Sequence, residues 1–161
     1  MTVVQKKVCM LGSFAVGKTS LVRRFVSNVY DDKYLTTVGV RIEKRDLHID
    51  DYDVRLLLWD LHGEDRFQFV RPSHLRGAAG YVLVVDGTRP DTVAVAETLR
   101  DRARETLADV PYVVVLNKAD LELSVDPDEV QSRLGQTVHI TSAKTGDGVK
   151  VVFESIARLT L

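Results

Sequence analysis

Residues 12–19 read Gly-Ser-Phe-Ala-Val-Gly-Lys-Thr, the spacing G-x-x-x-x-G-K-[ST]. A short apolar run at 8–11 precedes them, as in a buried strand, and apolar residues at helical spacing follow over 20–26. The two glycines let the backbone bend so that successive N–H groups point at phosphate oxygens. Lys18 and the helix N-terminus supply positive charge, and Thr19 supplies a hydroxyl for Mg²⁺. The stretch predicts a nucleoside triphosphate site; the alternative is a glycine-containing turn that caps a helix.

The tetrapeptide Asn117-Lys118-Ala119-Asp120 follows an apolar run at 112–116 and indicates which base is bound. The carboxylate of Asp120 can accept hydrogen bonds from guanine N1–H and from its exocyclic amine, and adenine offers no such pair. An unpaired buried polar group costs about 1–3 kcal/mol, so the site would discriminate steeply. Asn117 can tie the loop to its neighbours, and the Lys118 stem can cover one face of the purine. Taken alone, the tetrapeptide is also compatible with a solvated loop.

A third segment, Thr141-Ser142-Ala143-Lys144, follows a short strand at 137–140. The backbone N–H of Ala143 could donate to guanine O6, with Lys144 packing nearby. The same residues could form the N-cap of the last helix, and the two roles are compatible.

Between these motifs lies Trp59-Asp60-Leu61-His62-Gly63-Glu64. Asp60 ends an apolar run, where its carboxylate can hold Mg²⁺ through a water. Gly63 has no side chain to keep its N–H away from the γ-phosphate.

The order of these motifs resembles the Ras superfamily of small GTPases over 7–159. Within it, the Trp59-Asp60 pair and the Arg-Gly-Ala segment at 76–78 are most similar to the Rab branch. The resemblance implies that Thr37 is the first-switch threonine, which coordinates Mg²⁺ and senses the γ-phosphate.

By the same resemblance, Tyr30 lies edge-on to the guanine and Tyr34 folds over the phosphates. We therefore expect GTP or GDP to be bound with Mg²⁺, the metal by Thr19, Thr37 and Asp60. The expected nucleotide-binding residues are Ser13, Phe14, Ala15, Val16, Gly17, Lys18, Thr19, Ser20, Tyr30, Tyr34, Thr37, Gly63, Asn117, Lys118, Asp120, Ser142, Ala143 and Lys144.

The chain departs from the family pattern at residues that concern turnover. The expected catalytic residues are Lys18, Gly63 and Glu64, but family members that hydrolyse GTP efficiently usually carry glutamine at the last position to orient the water. The Glu64 carboxylate cannot donate to phosphoryl oxygens, and its charge opposes the transition state by on the order of 4 kcal/mol. Phe14 would crowd an arginine supplied by an activating protein, and Ala15 replaces a common glycine. These changes predict slow hydrolysis; the alternative is a binding module without turnover.

The composition fits one globular domain, with 45% hydrophobic and 28% charged residues and a formal net charge of −1. The resemblance implies that this domain, residues 1–161, is a small GTPase domain. This balance does not favour nucleic acid as a partner, and Arg23 and Arg24 are interpreted as a solvated helix face. The single cysteine, Cys9, is predicted to be a core residue. One cysteine cannot form an internal disulfide, which fits a reducing compartment, and we expect the protein to be cytoplasmic. We also expect a monomer. The sequence ends without a cysteine that could be prenylated, and we expect no direct membrane anchor in this chain.

The predicted fold is α/β, of the P-loop NTPase type, with a six-stranded, mostly parallel sheet, one antiparallel edge strand and helices on both faces. Strands are predicted near 3–11, 40–49, 53–60, 80–86, 111–117 and 137–140, and helices near 18–27, 66–76, 91–107, 127–134 and 147–159. Asp50-Asp51 is predicted to be a hairpin turn, and Asp86-Gly87-Thr88 is interpreted only as a turn.

The switch segments are expected near 30–45 and 61–76, where the γ-phosphate and Mg²⁺ would order them. Effectors, exchange factors and possible GTPase-activating proteins would bind these segments. Trp59 and Phe67 could offer apolar contact to such partners or could be core residues.

Overall fold

The computed structural model describes residues 2–28, 40–61 and 70–161, and these ranges contain six strands and five helices. The strands are β1 (Val3–Gly12), β2 (Val40–Ile49), β3 (Tyr52–Leu61), β4 (Gly80–Asp86), β5 (Tyr112–Asn117) and β6 (Val138–Ile140). The helices are α1 (Lys18–Ser27), α2 (Pro72–Leu75), α3 (Asp91–Leu107), α4 (Pro127–Leu134) and α5 (Val149–Leu159).

The strands form one sheet in the order β2-β3-β1-β4-β5-β6. The pair β2–β3 is antiparallel, and the other four pairs are parallel. The turn at Asp50-Asp51 joins the antiparallel pair, and Asp50 adopts the left-handed conformation with φ 52°. This topology confirms the predicted six-stranded α/β sheet with one antiparallel edge strand.

Alternate residues of β1 point into two apolar cores on opposite faces of the sheet. Val8 and Met10 belong to the core that α1 and α5 cover, whereas Cys9 and Leu11 belong to the core under α3 and α4. Strands β4 and β5 are buried along their whole length, which explains why their sequences are continuous apolar runs instead of alternating ones. The predicted placement of helices on both faces is confirmed.

Cys9 is fully buried, as predicted, and burial raises the pKa of its thiol to about 12. Within the part of the chain that the structure describes, no helix is long and apolar enough to cross a bilayer.

The last helix begins later than the sequence indicated, at Val149 instead of 147. Its N-cap is Gly148 with φ 74°, so the interpretation of 141–144 as that N-cap is wrong. A Cβ at Gly148 would lie 2.3 Å from the Ile140 carbonyl oxygen. The chain therefore makes a tight turn against the end of β6 before the helix can start.

Five strands run parallel, so their carboxyl ends meet at one edge of the sheet. This edge brings the segments that follow β1, β4, β5 and β6 next to the end of β3. Open α/β sheets bind ligands at this edge.

Candidate nucleotide-binding site

The segment 12–19 joins β1 to α1 in a sharply bent conformation. Gly17 has φ 104° and Ala15 has φ 61°, both in the left-handed region. A Cβ at Gly17 would lie 2.4 Å from the Asn117 side-chain nitrogen, and one at Gly12 would lie 2.7 Å from the Val84 carbonyl oxygen. Glycine is therefore required at both positions, because β4 and β5 approach the loop too closely for any side chain.

The carbonyl oxygens of residues 12 to 16 all accept hydrogen bonds from side chains. Lys18 Nζ donates to Gly12 (2.8 Å) and Ser13 (3.1 Å), Arg89 Nη2 to Phe14, Lys118 Nζ to Ala15 (2.9 Å), and Asn117 Nδ2 to Val16 (3.0 Å). The peptide bonds are trans, so each carbonyl and the following N–H point in opposite directions within one plane. Because the carbonyls point toward these side-chain donors, the N–H groups of the loop point away from the donors. N–H groups arranged in this way form an anion-binding nest.

Lys18 is 5% exposed although it carries a positive charge. Burial lowers the pKa of its ammonium group to about 8; the Asp60 carboxylate acts against this shift, and the positive charge of Arg89 adds to it. A buried cation bound to carbonyl dipoles is costly until an anion reaches it. The phosphates of a nucleotide are anions of the required kind.

The N-terminus of α1 has the same character. Its N-cap, Gly17, has no side chain, and the first turn contains no acidic residue. The N–H groups there carry partial positive charge and suit phosphate oxygens.

Thr19 and Asp60 form the part of the site suited to a metal ion. Thr19 Oγ1 donates to Asp60 Oδ2 at 2.5 Å, and the two residues are 5% and 1% exposed. A hydroxyl and a carboxylate are hard oxygen donors, and Mg²⁺ typically uses one or two carboxylates together with phosphates and waters. The two residues therefore fit Mg²⁺. Among residues 2–28, 40–61 and 70–161, no group of three or more His, Cys, Asp or Glu residues is placed to hold a metal ion.

Asn117 connects three segments of the site and is 2% exposed. Its amide nitrogen donates to the Val16 carbonyl, and its Oδ1 accepts from Thr141 Oγ1 at 3.0 Å and from the Ala143 N–H at 3.3 Å. The expectation that this residue ties the loop to its neighbours is confirmed. The Ala143 N–H, which was expected to meet guanine O6, is directed to Asn117 at a distance long enough for a second acceptor to share it.

Asp120 is exposed and accepts a 2.8 Å hydrogen bond from Ser142 Oγ. Ser142 itself is buried, with 2% of its surface exposed. Ser142 Oγ also accepts from the Thr145 N–H at 3.1 Å. A buried hydroxyl thus fixes one oxygen of the carboxylate that is expected to recognise guanine.

Two residues of the site were missed in the sequence. Arg24, interpreted as solvated, is half-buried; its Nε donates to the Ala143 carbonyl at 2.8 Å, and its Nη2 donates to the Lys144 carbonyl. Asp86, interpreted as part of a plain turn, is fully buried and pairs with Lys118 Nζ at 2.8 Å and with Arg89 Nε at 3.0 Å. For Asp86, the sequence did offer a signal, since an aspartate at the end of an entirely apolar strand is a buried charge. A buried charge needs partners, which would have indicated a role beyond a turn.

The remaining predicted residues divide into two groups. Val16 and Ser20 are buried, and the Phe14 side chain is 46% exposed at the surface of the loop. The predictions for Tyr30, Tyr34, Thr37, His62, Gly63, Glu64 and Phe67 concern residues outside the described ranges.

A family model described as the Ras family matches residues 7–161 of this chain. The matched range includes the phosphate loop, Asp60, the Asn117–Asp120 loop and the 141–144 segment. Similarity to the Rab branch stays a prediction.

Proposed function

Because the chain belongs to the Ras family, we propose that residues 1–161 form one GTPase domain that acts as a guanine-nucleotide switch and hydrolyses GTP slowly to GDP and phosphate. The observation that supports this most directly is the joining of the phosphate loop to the predicted base-recognition loop. The Asn117 and Lys118 side chains bind consecutive carbonyls of the phosphate loop, at Val16 and Ala15. One ligand would therefore touch both loops, with its phosphates in one and its base in the other.

The phosphates bind where the charges of the pocket are unbalanced. Lys18 donates to the β- and γ-phosphate oxygens, and the N–H groups of 13–19 surround them. Thr19 and Asp60, together with Thr37, would hold Mg²⁺, which would supply positive charge to neutralise part of the phosphate charge. Binding also relieves the cost of burying the Lys18 ammonium group.

The base binds at the loop after β5. Asp120 accepts from guanine N1–H and the exocyclic amine, while Ser142 keeps the carboxylate in place. The Lys118 stem covers one purine face, and Tyr30 packs against the ring. Selectivity follows because adenine leaves the Asp120 carboxylate unpaired.

Hydrolysis is slow because Glu64 stands where glutamine usually orients the attacking water. Gly63 offers its N–H to the γ-phosphate, and Lys18 stabilises the charge that develops in the transition state. The exposed Phe14 side chain hinders entry of an arginine from an activating protein. The second candidate, a module that binds GTP or GDP without turnover, is favoured by the same two residues.

Partners bind the segments 30–45 and 61–76, which the nucleotide state orders or releases. Within the described part, Ile42 is 52% exposed and faces half-buried Trp59 across the β2–β3 pair. Lys7 Nζ lies 3.6 Å from the centre of the Trp59 ring. Trp59 also packs on the core, so it both supports the sheet and offers apolar surface to effectors.

A single-turnover assay tests the proposal. The protein is stripped of nucleotide and loaded with GTP and Mg²⁺. Phosphate release is then followed for the wild type, Glu64→Gln and the control Glu105→Gln, an exposed residue of α3. We expect slow release from the wild type and the control, and release at least about tenfold faster from Glu64→Gln. Tight GTP retention with no release from any form would establish the binding module instead. Failure to retain either guanine nucleotide would reject both.

A further inference from the structure

Asp86 lies at the carboxyl end of β4 and is fully buried. Its carboxylate accepts hydrogen bonds from Thr88 N (2.8 Å), Thr88 Oγ1 (2.7 Å), Arg89 Nε (3.0 Å) and Lys118 Nζ (2.8 Å). Burial opposes ionisation of this carboxyl, but the bonds from Lys118, Thr88 and Arg89 outweigh it and lower its pKa. Asp86 is therefore a buried anion held between two cations.

Both of these cations, Arg89 and Lys118, also donate hydrogen bonds to the phosphate loop. A second nitrogen of the Arg89 guanidinium, Nη2, donates to the Phe14 carbonyl, and Lys118 Nζ donates to the Ala15 carbonyl. One carboxylate thus fixes the donors of two consecutive loop carbonyls. A planar guanidinium bound through two of its nitrogens, Nε and Nη2, has a defined orientation, which a single contact would not give.

These two carbonyls set the direction of two N–H groups. The Phe14 carbonyl shares a trans peptide plane with the Ala15 N–H, and the Ala15 carbonyl shares one with the Val16 N–H. Ala15 has φ 61°, a conformation that a residue with a side chain adopts only at some cost. An external contact is therefore needed to keep the planes in the phosphate-binding orientation.

We propose that Arg89, oriented by Asp86, is a positioning residue that holds the N–H groups of the phosphate loop on the β-phosphate and thereby limits nucleotide release. The inference rests on the proposed guanine-nucleotide function. Arg89 is the better residue to test, because Lys118 also belongs to the base-recognition loop and its substitution would affect both loops. Arg89 lies on the loop after β4, outside both predicted switch segments.

The test compares GDP with GMP, which lacks the β-phosphate. Arg89→Met keeps the aliphatic stem and removes the donors, and Arg89→Lys keeps the charge without the planar pair of donor nitrogens. Affinities and release rates are measured by calorimetry and by displacement of a fluorescent GDP. We expect Arg89→Met to weaken GDP about tenfold, which corresponds to one charge-assisted hydrogen bond, and GMP by less than about twofold. Arg89→Lys should lie between wild type and Arg89→Met for GDP.

Arg100→Met is the matched control. Arg100 also pairs with an aspartate, at 3.3 Å from Asp101, and donates to a backbone carbonyl, at 2.9 Å from Arg133, but on α3 away from the site. It should leave both affinities unchanged.

Equal losses for GDP and GMP would assign Arg89 a purely structural role and overturn the inference, as would an unchanged GDP affinity. If Arg89→Met does not fold, the release rate of GDP from Arg89→Lys decides: a rate equal to wild type overturns the inference. A wild type that binds neither nucleotide would defeat the proposed function itself, which is a different result.

A double-mutant cycle tests the part given to Asp86. Asp86→Asn should weaken GDP at least as much as Arg89→Met, and combining the two should cost less than the product of the single effects. Fully multiplicative losses would overturn the role of Asp86 in orienting Arg89.

Discussion

The two ends of the proposed nucleotide site, the loops around Asp120 and around Lys18, differ in how far their polar groups are paired within the protein. At the end proposed to bind guanine, polar groups already hydrogen-bond to one another, Asp120 to Ser142 and Asn117 to Thr141. At the phosphate end, Lys18 is buried against carbonyl oxygens, and its pKa is lowered to about 8. The base-recognition end is therefore preformed, whereas the phosphate end is completed by the charge of its ligand.

This difference separates selectivity from affinity. Changes at the guanine end should alter which base is accepted, because an unmatched hydrogen bond is heavily penalised in a preformed site. Changes at the phosphate end should alter how tightly any nucleotide is held. Four measurements test this separation.

Replacing Asp120 should give the largest effect. Asp120→Asn should reverse base preference in favour of xanthine nucleotides, whose 2-oxo group accepts where guanine donates, with guanine affinity falling on the order of 10³-fold or more. Competition between GDP and xanthosine diphosphate measures it. Glu122→Gln, an exposed carboxylate change two residues away, should leave the preference intact. Retained guanine preference in Asp120→Asn would contradict the account of base recognition.

Removing the buried cation should weaken binding without changing the choice of base. Lys18→Met should lower GDP affinity on the order of 10²-fold, the value of a strong hydrogen bond between charged groups. The ratio of GDP to ADP affinity should stay near that of the wild type, as titration calorimetry can determine. Lys150→Met, whose side chain is 73% exposed in the wild type, is the control and should bind like wild type. A changed base ratio in Lys18→Met would show that the two ends are not separable.

Ser142→Ala should sharpen the view of the guanine end. Loss of the hydroxyl frees one Asp120 oxygen to rotate, and we expect GDP to bind about fivefold more weakly, as for the net loss of one hydrogen bond worth about 1 kcal/mol. Guanine should remain preferred over adenine, since the carboxylate is intact. Thr98→Ala, at an exposed residue of α3, also removes a hydroxyl hydrogen bond, 3.2 Å to the Ala94 carbonyl, and should have no effect.

The smallest expected effect is a pH dependence. Phosphate raises the pKa of Lys18 above its value of about 8 in the nucleotide-free protein, so binding takes up a proton above that pH. GDP affinity should fall about fourfold between pH 7 and 8.5, from the fraction of Lys18 deprotonated in the free protein. Calorimetry in two buffers of different ionisation enthalpy detects the proton, and Lys18→Met should lose the dependence.

The same shift has the opposite sign for folding. The folded-state pKa of Lys18 is below the unfolded value, so the unfolded chain binds more protons between about pH 8 and 10.5. The cost of burying this charge is present below pH 8 and is relieved as the pH rises through that window.

The sequence predicted what depends on short spacing. The phosphate loop, the strands and the residues Lys18, Thr19 and Asp60 each stand in a contiguous pattern, and their placement at one sheet edge follows from strand direction. Asp86 and Arg24 were missed because their role depends on residues far along the chain. Arg89 and Phe14 are 75 positions apart, and Arg24 and Ala143 are 119 apart. No local pattern encodes such contacts, which arise from the register of the finished sheet.

The hydrogen bond between Asn117 and Val16 joins positions 101 residues apart. The pocket can therefore exist only in the fully assembled chain, and an unfolded chain has nothing comparable to offer a nucleotide. A nucleotide that binds only the folded protein stabilises it. Each tenfold increase in the free nucleotide concentration above the dissociation constant adds about 1.4 kcal/mol to the free energy of unfolding. Under the proposed function, the supply of guanine nucleotide therefore sets the free energy of unfolding of this protein as well as its nucleotide state.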